Sequence, residues 1–174
     1  FEDSFEYPPV ITANFITHNI DYNKSDSLAF IPLTLNLKDN PEIIAKYRNG
    51  IKNKIFHPQL HGYCHYDVSK LNSFYCTDEG KKLFKIGFLT GKSTIKGNLG
   101  QFRSEFSQNN IEVEKKIKFA VQEFYNLFNY YPKSIIPSHF MLDKKYLKIL
   151  CNHGIKAIQA SNRLIDSSNK RYNK

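Results

Sequence analysis

Two histidines four positions apart, in the segment His61-Gly62-Tyr63-Cys64-His65, carry the most informative chemistry of this chain. Neutral imidazole nitrogen is a favoured ligand for zinc and related metals, so the pair predicts a divalent-metal site. The glycine has no Cβ, which lets the backbone pass close to an ion. Two histidines hold a metal weakly, and a third ligand, usually a carboxylate, has to come from elsewhere. Alternatively, His61 and His65 are polar loop residues that form hydrogen bonds with backbone groups.

Asp67 comes two residues after His65, directly before a segment, residues 68–71, that favours a helix. Aspartate is a preferred N-cap, so we predict that Asp67 caps this helix and thereby fixes the approach of His65. Alternatively, Asp67 accepts a hydrogen bond from a metal ligand, and this role is compatible with capping the helix. Cys64 is an unsuitable ligand, because adjacent residues cannot easily face one ion.

The composition predicts one α/β domain over residues 1–174, since 41% of the residues are hydrophobic and 14% aromatic. No apolar run approaches the roughly 18 residues of a membrane span. The three cysteines, Cys64, Cys76 and Cys151, have no regular spacing, which argues against a disulfide framework and favours a reducing compartment such as the cytoplasm. Residues 1–9 do not resemble a signal peptide, and we interpret the chain as a segment of a longer protein.

The formal charge of +9 raises nucleic acid or another anionic polymer as a partner. However, the basic residues are scattered from Lys24 to Lys174 without a dense block or a nucleic-acid motif. A lysine-rich, solvated surface explains the charge more simply, so a nucleic-acid partner is not expected. The oligomeric state is not indicated by the sequence.

Short buried segments alternate with helical segments along the chain. Strands are predicted at residues 10–17, 54–60, 134–137 and 155–159, and helices at residues 40–51, 67–74, 77–88, 102–106, 111–131 and 143–152. Residues 21–39 and 90–100 are predicted loops, and residues 167–174 a frayed tail. Gly50 is expected to interrupt the first helix. The alternation predicts a parallel sheet with helices outside it, open or closed into a barrel.

Residues 61–67 resemble the second motif of the polysaccharide deacetylase family, a group of carbohydrate esterases. In that motif a histidine, a small residue, two variable positions and a histidine are often followed by proline and aspartate. Residues 9–14, 56–62 and 152–159 follow the order seen in a bacterial branch of the family, which has glycine after the first motif histidine. The resemblance extends over about residues 8–160.

This resemblance implies a distorted (β/α) barrel of polysaccharide-deacetylase type, with the metal at the carboxyl ends of the strands. It also implies removal of an N-acetyl or O-acetyl group from an acetylated saccharide. His61 and His65 would bind the metal, zinc or in its place cobalt or nickel, which would polarise the carbonyl and activate a water molecule. Pro137 and His139 occupy the position of the third motif and would form part of the pocket wall.

Other family motifs are absent or altered. The aspartate pair that supplies the base and a metal ligand is expected upstream of Phe1, and the late histidine motif that supplies the acid does not appear after Gln159. The third motif keeps only its proline, so the catalytic base and acid stay unassigned. These departures leave a second hypothesis, a non-catalytic relative with the same fold that binds a glycan or has a structural role.

Overall fold

The computed structural model describes residues 9–23, 28–85, 105–106, 109–160, 164–166, 168 and 170–172. Their elements in chain order are β1 (Ile11–Phe15), β2 (His18–Ile20), β3 (Phe30–Pro32), α1 (Leu33–Asn36), α2 (Pro41–Lys52), β4 (Phe56–Leu60), α3 (Val68–Tyr75), α4 (Asp78–Lys85), α5 (Asn110–Phe128), β5 (Ser134–Ile135), α6 (Leu147–Asn152), β6 (Ala157–Ile158), β7 (Leu164–Ile165) and β8 (Arg171–Tyr172). Two 3₁₀ turns, Ser138–Phe140 and Lys144–Tyr146, lie between β5 and α6.

A parallel sheet with the strand order β1-β4-β5-β6 organises this part of the chain. The longest pairing joins β1 to β4, with Ile11 opposite Phe56 and Phe15 opposite Leu60. A single register pair, Leu60 with Ile135, joins β4 to β5. Because all neighbouring strands are parallel, their carboxyl ends meet at one edge of the sheet. The prediction of an α/β fold with a parallel sheet and helices is confirmed.

Helix α5 supplies one side of the main hydrophobic core. Its first turn is capped by Asn109, whose side chain accepts a hydrogen bond of 3.0 Å from the backbone N–H of Glu112. Its apolar positions recur every three or four residues, and the buried ones are Val113, Ile117, Ala120, Val121, Phe124, Leu127 and Phe128. They pack in one cluster with Leu60 and Ile135 of the sheet. The helix and its buried face are therefore as the spacing predicts.

The region between β1 and α2 differs from the sequence prediction. Residues 21–39 are predicted to form a loop with a short extended piece, whereas the structure pairs β2 with β3 in antiparallel fashion and then forms α1. Ile20 and Phe30 of this pair pack against a second, smaller cluster of Leu71, Tyr75 and Phe84. Strands of three residues are too short to show a recognisable alternation of apolar and polar residues. The apolar side chains that they pack against lie on distant helices.

Gly50 does not interrupt α2, which continues to Lys52. A Cβ at Gly50 would lie 2.9 Å from Cβ of Phe56, which is closer than real carbon atoms approach. The glycine is therefore needed where α2 crosses the start of β4, and its role is close packing rather than helix termination.

The last part of the chain contains a short antiparallel strand pair. Residues 167–174 are predicted to fray; within that range, Arg171–Tyr172 pairs with Leu164–Ile165. The predicted loop at residues 90–100, the end of the helix predicted at 77–88 and most of the helix predicted at 102–106 lie outside the described residues. Among the described residues, no helix combines the length and the apolar composition that a bilayer crossing requires.

Candidate functional site

Two of the predicted site histidines follow adjacent strands at the carboxyl edge of the sheet. His61 comes directly after β4, and its backbone N–H donates a hydrogen bond of 2.8 Å to the carbonyl of Phe15 at the end of β1. His139 lies in the 3₁₀ turn that follows β5. Because β4 and β5 are paired, the two loops leave the sheet side by side.

The imidazole of His65 contacts the rings of both His61 and His139. The ring centroids of His61 and His65 are 5.0 Å apart, and those of His65 and His139 are 4.3 Å apart. Two imidazoles bound to one tetrahedral zinc have centroids about 5 Å apart, given Zn–N bonds of about 2.0–2.1 Å. The spacing of His61 and His65 suits a shared cation. Within the described ranges, no group of three or more His, Cys, Asp or Glu side chains is arranged to hold a metal ion.

The ring of His61 is oriented by the backbone of the neighbouring strand. Its Nδ1 atom lies 2.9 Å from the carbonyl oxygen of Ile136. A carbonyl oxygen can only accept, so Nδ1 carries the proton of the neutral ring and Nε2 keeps its lone pair. A backbone carbonyl on the second ring nitrogen is a common arrangement for metal-binding histidines.

The backbone of His65 has a conformation that is unusual for a residue other than glycine, with a φ of 72°. His139 also has a positive φ, at 55°. Such conformations cost of order 1 kcal/mol and persist where surrounding contacts hold them. Burial lowers the pKa of His65 to about 4, and the rings of His139 and His61 act in the same direction. His65 is therefore neutral near pH 7, as a metal ligand has to be.

Asp67 caps α3, as the sequence predicts. Its Oδ1 atom accepts hydrogen bonds from the backbone N–H groups of Ser69, at 3.1 Å, and Lys70, at 3.2 Å, and from the Ser69 hydroxyl at 2.8 Å. The side chain of Asp67 is buried, whereas that of Lys70, which lies 3.6 Å from Oδ2, is exposed. The cap fixes the start of α3 two residues after His65.

Cys64 faces the interior. Its side chain is buried, and its Sγ–H group donates to the carbonyl of Tyr66 at 3.5 Å. Burial raises the pKa of the Cys64 thiol, and the charge of Glu105 acts in the same direction. The buried thiol therefore stays protonated near pH 7.

Glu105 is a site residue for which the sequence carries no signal. Its fully buried carboxylate accepts hydrogen bonds from the backbone N–H groups of Tyr63, at 2.5 Å, and Cys64, at 2.7 Å. The Ser138 hydroxyl donates to its other oxygen at 2.9 Å. Burial raises the pKa of Glu105, while the Cys64 amide and the charge of Lys116 oppose that rise. A single glutamate within a predicted short helix carries no sequence signal of burial.

Gly62 is required beside this carboxylate for two reasons. Its φ is 96°, in the region that side chains rarely adopt. In addition, a Cβ at this position would collide with the Glu105 carboxylate. The sequence predicts that this glycine lets the backbone approach an ion. In the structure, the group that lies close to it is the Glu105 carboxylate.

A cavity of about 410 Å³ opens beside His65. Its volume lies within the range of small-molecule sites. The lining residues are Ile16, His18, Asn19, Ile20, Asp21, Tyr22, Asn23, Ile31, Asn36, Cys64, His65 and Tyr66. The sequence does not predict this cavity, because β3 lies within a predicted loop and β2 lies outside every predicted element.

The pocket-wall residues predicted from the third motif occupy different environments. Pro137 is buried and His139 is exposed, and neither belongs to the lining of the cavity. His18, which does line it, stacks on Tyr63 with a centroid distance of 4.0 Å. Burial lowers the pKa of His18 to about 4.

No protein-family model, curated protein or solved structure matches this chain. The chemistry of the site therefore has to be inferred from its own groups. These are the imidazoles of His61 and His65 at a sheet edge, the imidazole of His139 beside them and a cavity of mixed polar and apolar lining next to His65.

Proposed function

We propose that this chain carries the metal-binding histidines of a hydrolase that removes acetyl groups from a carbohydrate or polysaccharide. The observation that carries the proposal is the convergence of His61 and His65 at the carboxyl edge of the sheet, with the Nδ1 atom of His61 engaged by a backbone carbonyl. Enzymes with parallel sheets commonly hold their sites at this edge. The resemblance of residues 61–67 to the second motif of polysaccharide deacetylases supplies the reaction class.

The architecture that we propose is a distorted (β/α) barrel of the polysaccharide-deacetylase type. The order β1-β4-β5-β6 follows the chain without reversal. Strands succeed one another in this way around a barrel, whereas doubly wound sheets reverse direction at a switch point. The strand order thus favours the barrel without requiring closure.

The donor set fits a divalent metal such as zinc, with cobalt or nickel as substitutes. When bound, such a metal polarises the acetyl carbonyl and lowers the pKa of a water molecule. In this chain, His61 would contribute Nε2, and His65 its neutral ring. Asn19, Asn36 and Tyr66 in the cavity beside His65 offer hydrogen-bonding groups and an aromatic surface suited to an acetylated saccharide. The catalytic base and acid are unassigned.

Metal titration tests the proposal directly. We expect zinc and cobalt to bind the protein in calorimetry, and the variants His61→Ala and His65→Ala to lose at least about tenfold in affinity. His57→Ala is the matched control, because His57 lies on β4 with an exposed side chain. Unchanged affinity in both site variants would contradict a metal site here. Chelator-sensitive release of acetate from an N-acetylglucosamine oligomer then tests the reaction.

A non-catalytic, glycan-binding relative is the second candidate. It is favoured by the cavity, whose lining combines amides and tyrosines while the described residues contain no complete metal-holding group. This function predicts that an acetylated oligosaccharide binds without release of acetate and that a chelator leaves binding unchanged. Substitution of Tyr66 by Ala is expected to weaken that binding.

A further inference from the structure

The carboxylate of Glu105 joins the two loops that carry the histidines. Its Oε1 atom accepts the backbone N–H groups of Tyr63 and Cys64, which lie between His61 and His65 in the chain. Its Oε2 atom accepts the hydroxyl of Ser138, the residue before His139. One buried side chain thus contacts both segments.

The hydrogen bonds that the Oε1 atom of Glu105 accepts are short. The backbone N–H groups of Tyr63 and Cys64 lie 2.5 and 2.7 Å from Oε1, and without this acceptor both groups would be left unpaired. The carboxylate is fully buried, so solvent cannot easily replace it. The buried Lys116 has its Nζ atom 3.4 Å from the backbone carbonyl of Glu105 and places a positive charge nearby.

The same contacts hold the backbone segments that carry the imidazoles of His61, His65 and His139. The Ser138 hydroxyl also lies 3.3 Å from the carbonyl of His61, so the three segments meet at one point. His65 and His139 have positive φ values, which require surrounding contacts to hold them. Glu105 provides such contacts for the residue before each of these two histidines, namely Cys64 and Ser138.

We infer that Glu105 is a positioning residue that sets the mutual placement of the site histidines through the Tyr63 and Cys64 amides and the Ser138 hydroxyl. It does not contact substrate, because its side chain is sealed in the interior. The consequence for metal affinity rests on the proposed function, whereas the consequence for loop geometry does not.

The first test compares zinc affinity in folded variants. We expect Glu105→Ala to bind zinc about 10–100-fold more weakly than the wild type, and Glu105→Gln, whose amide oxygen can still accept the two N–H groups, to recover part of the loss. The cobalt-loaded Glu105→Ala variant should also have an altered visible absorption spectrum, which reports ligand geometry. Circular dichroism identifies the folded state at the temperature of the titration.

The matched control is Glu123→Ala. Glu123 is also a buried carboxylate, but one oxygen accepts from the backbone N–H of Thr34, which joins α5 to α1, and the other from the side-chain amide of Asn126 within α5. We expect a loss of stability with wild-type zinc affinity. If Glu105→Ala also loses stability but keeps wild-type zinc affinity, the inference is overturned. Should Glu105→Ala not fold, Ser138→Ala decides, with about tenfold weaker binding expected and unchanged binding contradicting the inference.

A second test does not need a metal. In the metal-free protein, we expect Glu105→Ala to accelerate amide hydrogen exchange at Tyr63 and Cys64 and to shift the imidazole resonances of His61 and His65, while Glu123→Ala leaves them unchanged. If the wild type fails to bind zinc, the proposed function fails, and this test alone decides the inference. Unchanged exchange and resonances in Glu105→Ala would then overturn it.

Discussion

The Nδ1 atom of His61 lies 2.9 Å from the carbonyl oxygen of Ile136, the first residue after β5. The contact joins the first loop residue after one strand to the first loop residue after its neighbour. The Ile136 N–H in turn donates to the carbonyl of Leu60 at 2.8 Å, so the two segments are held on both sides. The orientation of the His61 ring is therefore a property of the sheet edge rather than of the side chain alone.

The tautomer of His61 is the first prediction. In the neutral ring of His61 we expect the proton on Nδ1, because the Ile136 carbonyl can only accept. Long-range proton–nitrogen NMR spectra distinguish the two ring nitrogens, and added zinc should shift Nε2 selectively. His57, exposed on β4, serves as the reference ring. A proton on Nε2 of His61 would be incompatible with the hydrogen bond.

Substitution of Gly62 tests the two reasons for a glycine at this position, its positive φ and its close contact with Glu105. Gly62→Ala is expected to lower the free energy of unfolding by about 2–3 kcal/mol, because the positive φ and the collision with Glu105 both oppose a Cβ. Gly154→Ala is the control, since Gly154 has a φ of 83° but open space around it. Only the backbone cost of about 1 kcal/mol applies there. Equal losses in urea denaturation would show that the collision is unimportant.

The cap of α3 can be tested by two substitutions of Asp67. Asp67→Ala is expected to cost about 1–2 kcal/mol in the free energy of unfolding, because the Ser69 and Lys70 N–H groups lose their acceptor. Asp67→Asn keeps an acceptor oxygen and should cost less. The exposed Lys70 contributes little through its charge. Thermal or urea denaturation measures both, and identical losses would contradict a capping role.

Stability should depend on pH through His18. Burial lowers the pKa of His18 from 6.5 to about 4, so between these values the unfolded chain binds a proton that the folded chain does not. The free energy of unfolding therefore falls as the pH decreases from 6.5 to 4, and the dependence levels off below that range. His18→Gln should make the urea midpoint less dependent on pH in this window, whereas His57→Gln should leave the dependence unchanged. The dependence that remains in His18→Gln comes from His65, whose pKa burial also lowers to about 4. A wild-type midpoint independent of pH there would refute the effect.

Local sequence was sufficient where the signal lies within one or two turns. The spacing of Val113, Ile117 and Phe124 predicts α5, and Asp67 predicts the start of α3. Both signals act between residues at most seven positions apart, so they can be recognised without the fold. The order of strands and helices likewise predicts the parallel sheet. The polysaccharide-deacetylase resemblance and the metal remain predictions.

Residues distant in the chain needed the tertiary structure. No sequence pattern indicates that Glu105 lies against Gly62, that β2 and β3 border a cavity, or that His139 approaches His65 within 4.3 Å. These contacts depend on which strands pair and how the loops at their ends pack, and both are decided by the whole core. The sequence by itself determined the chemistry available to this protein, and the packing of distant segments decided which groups meet.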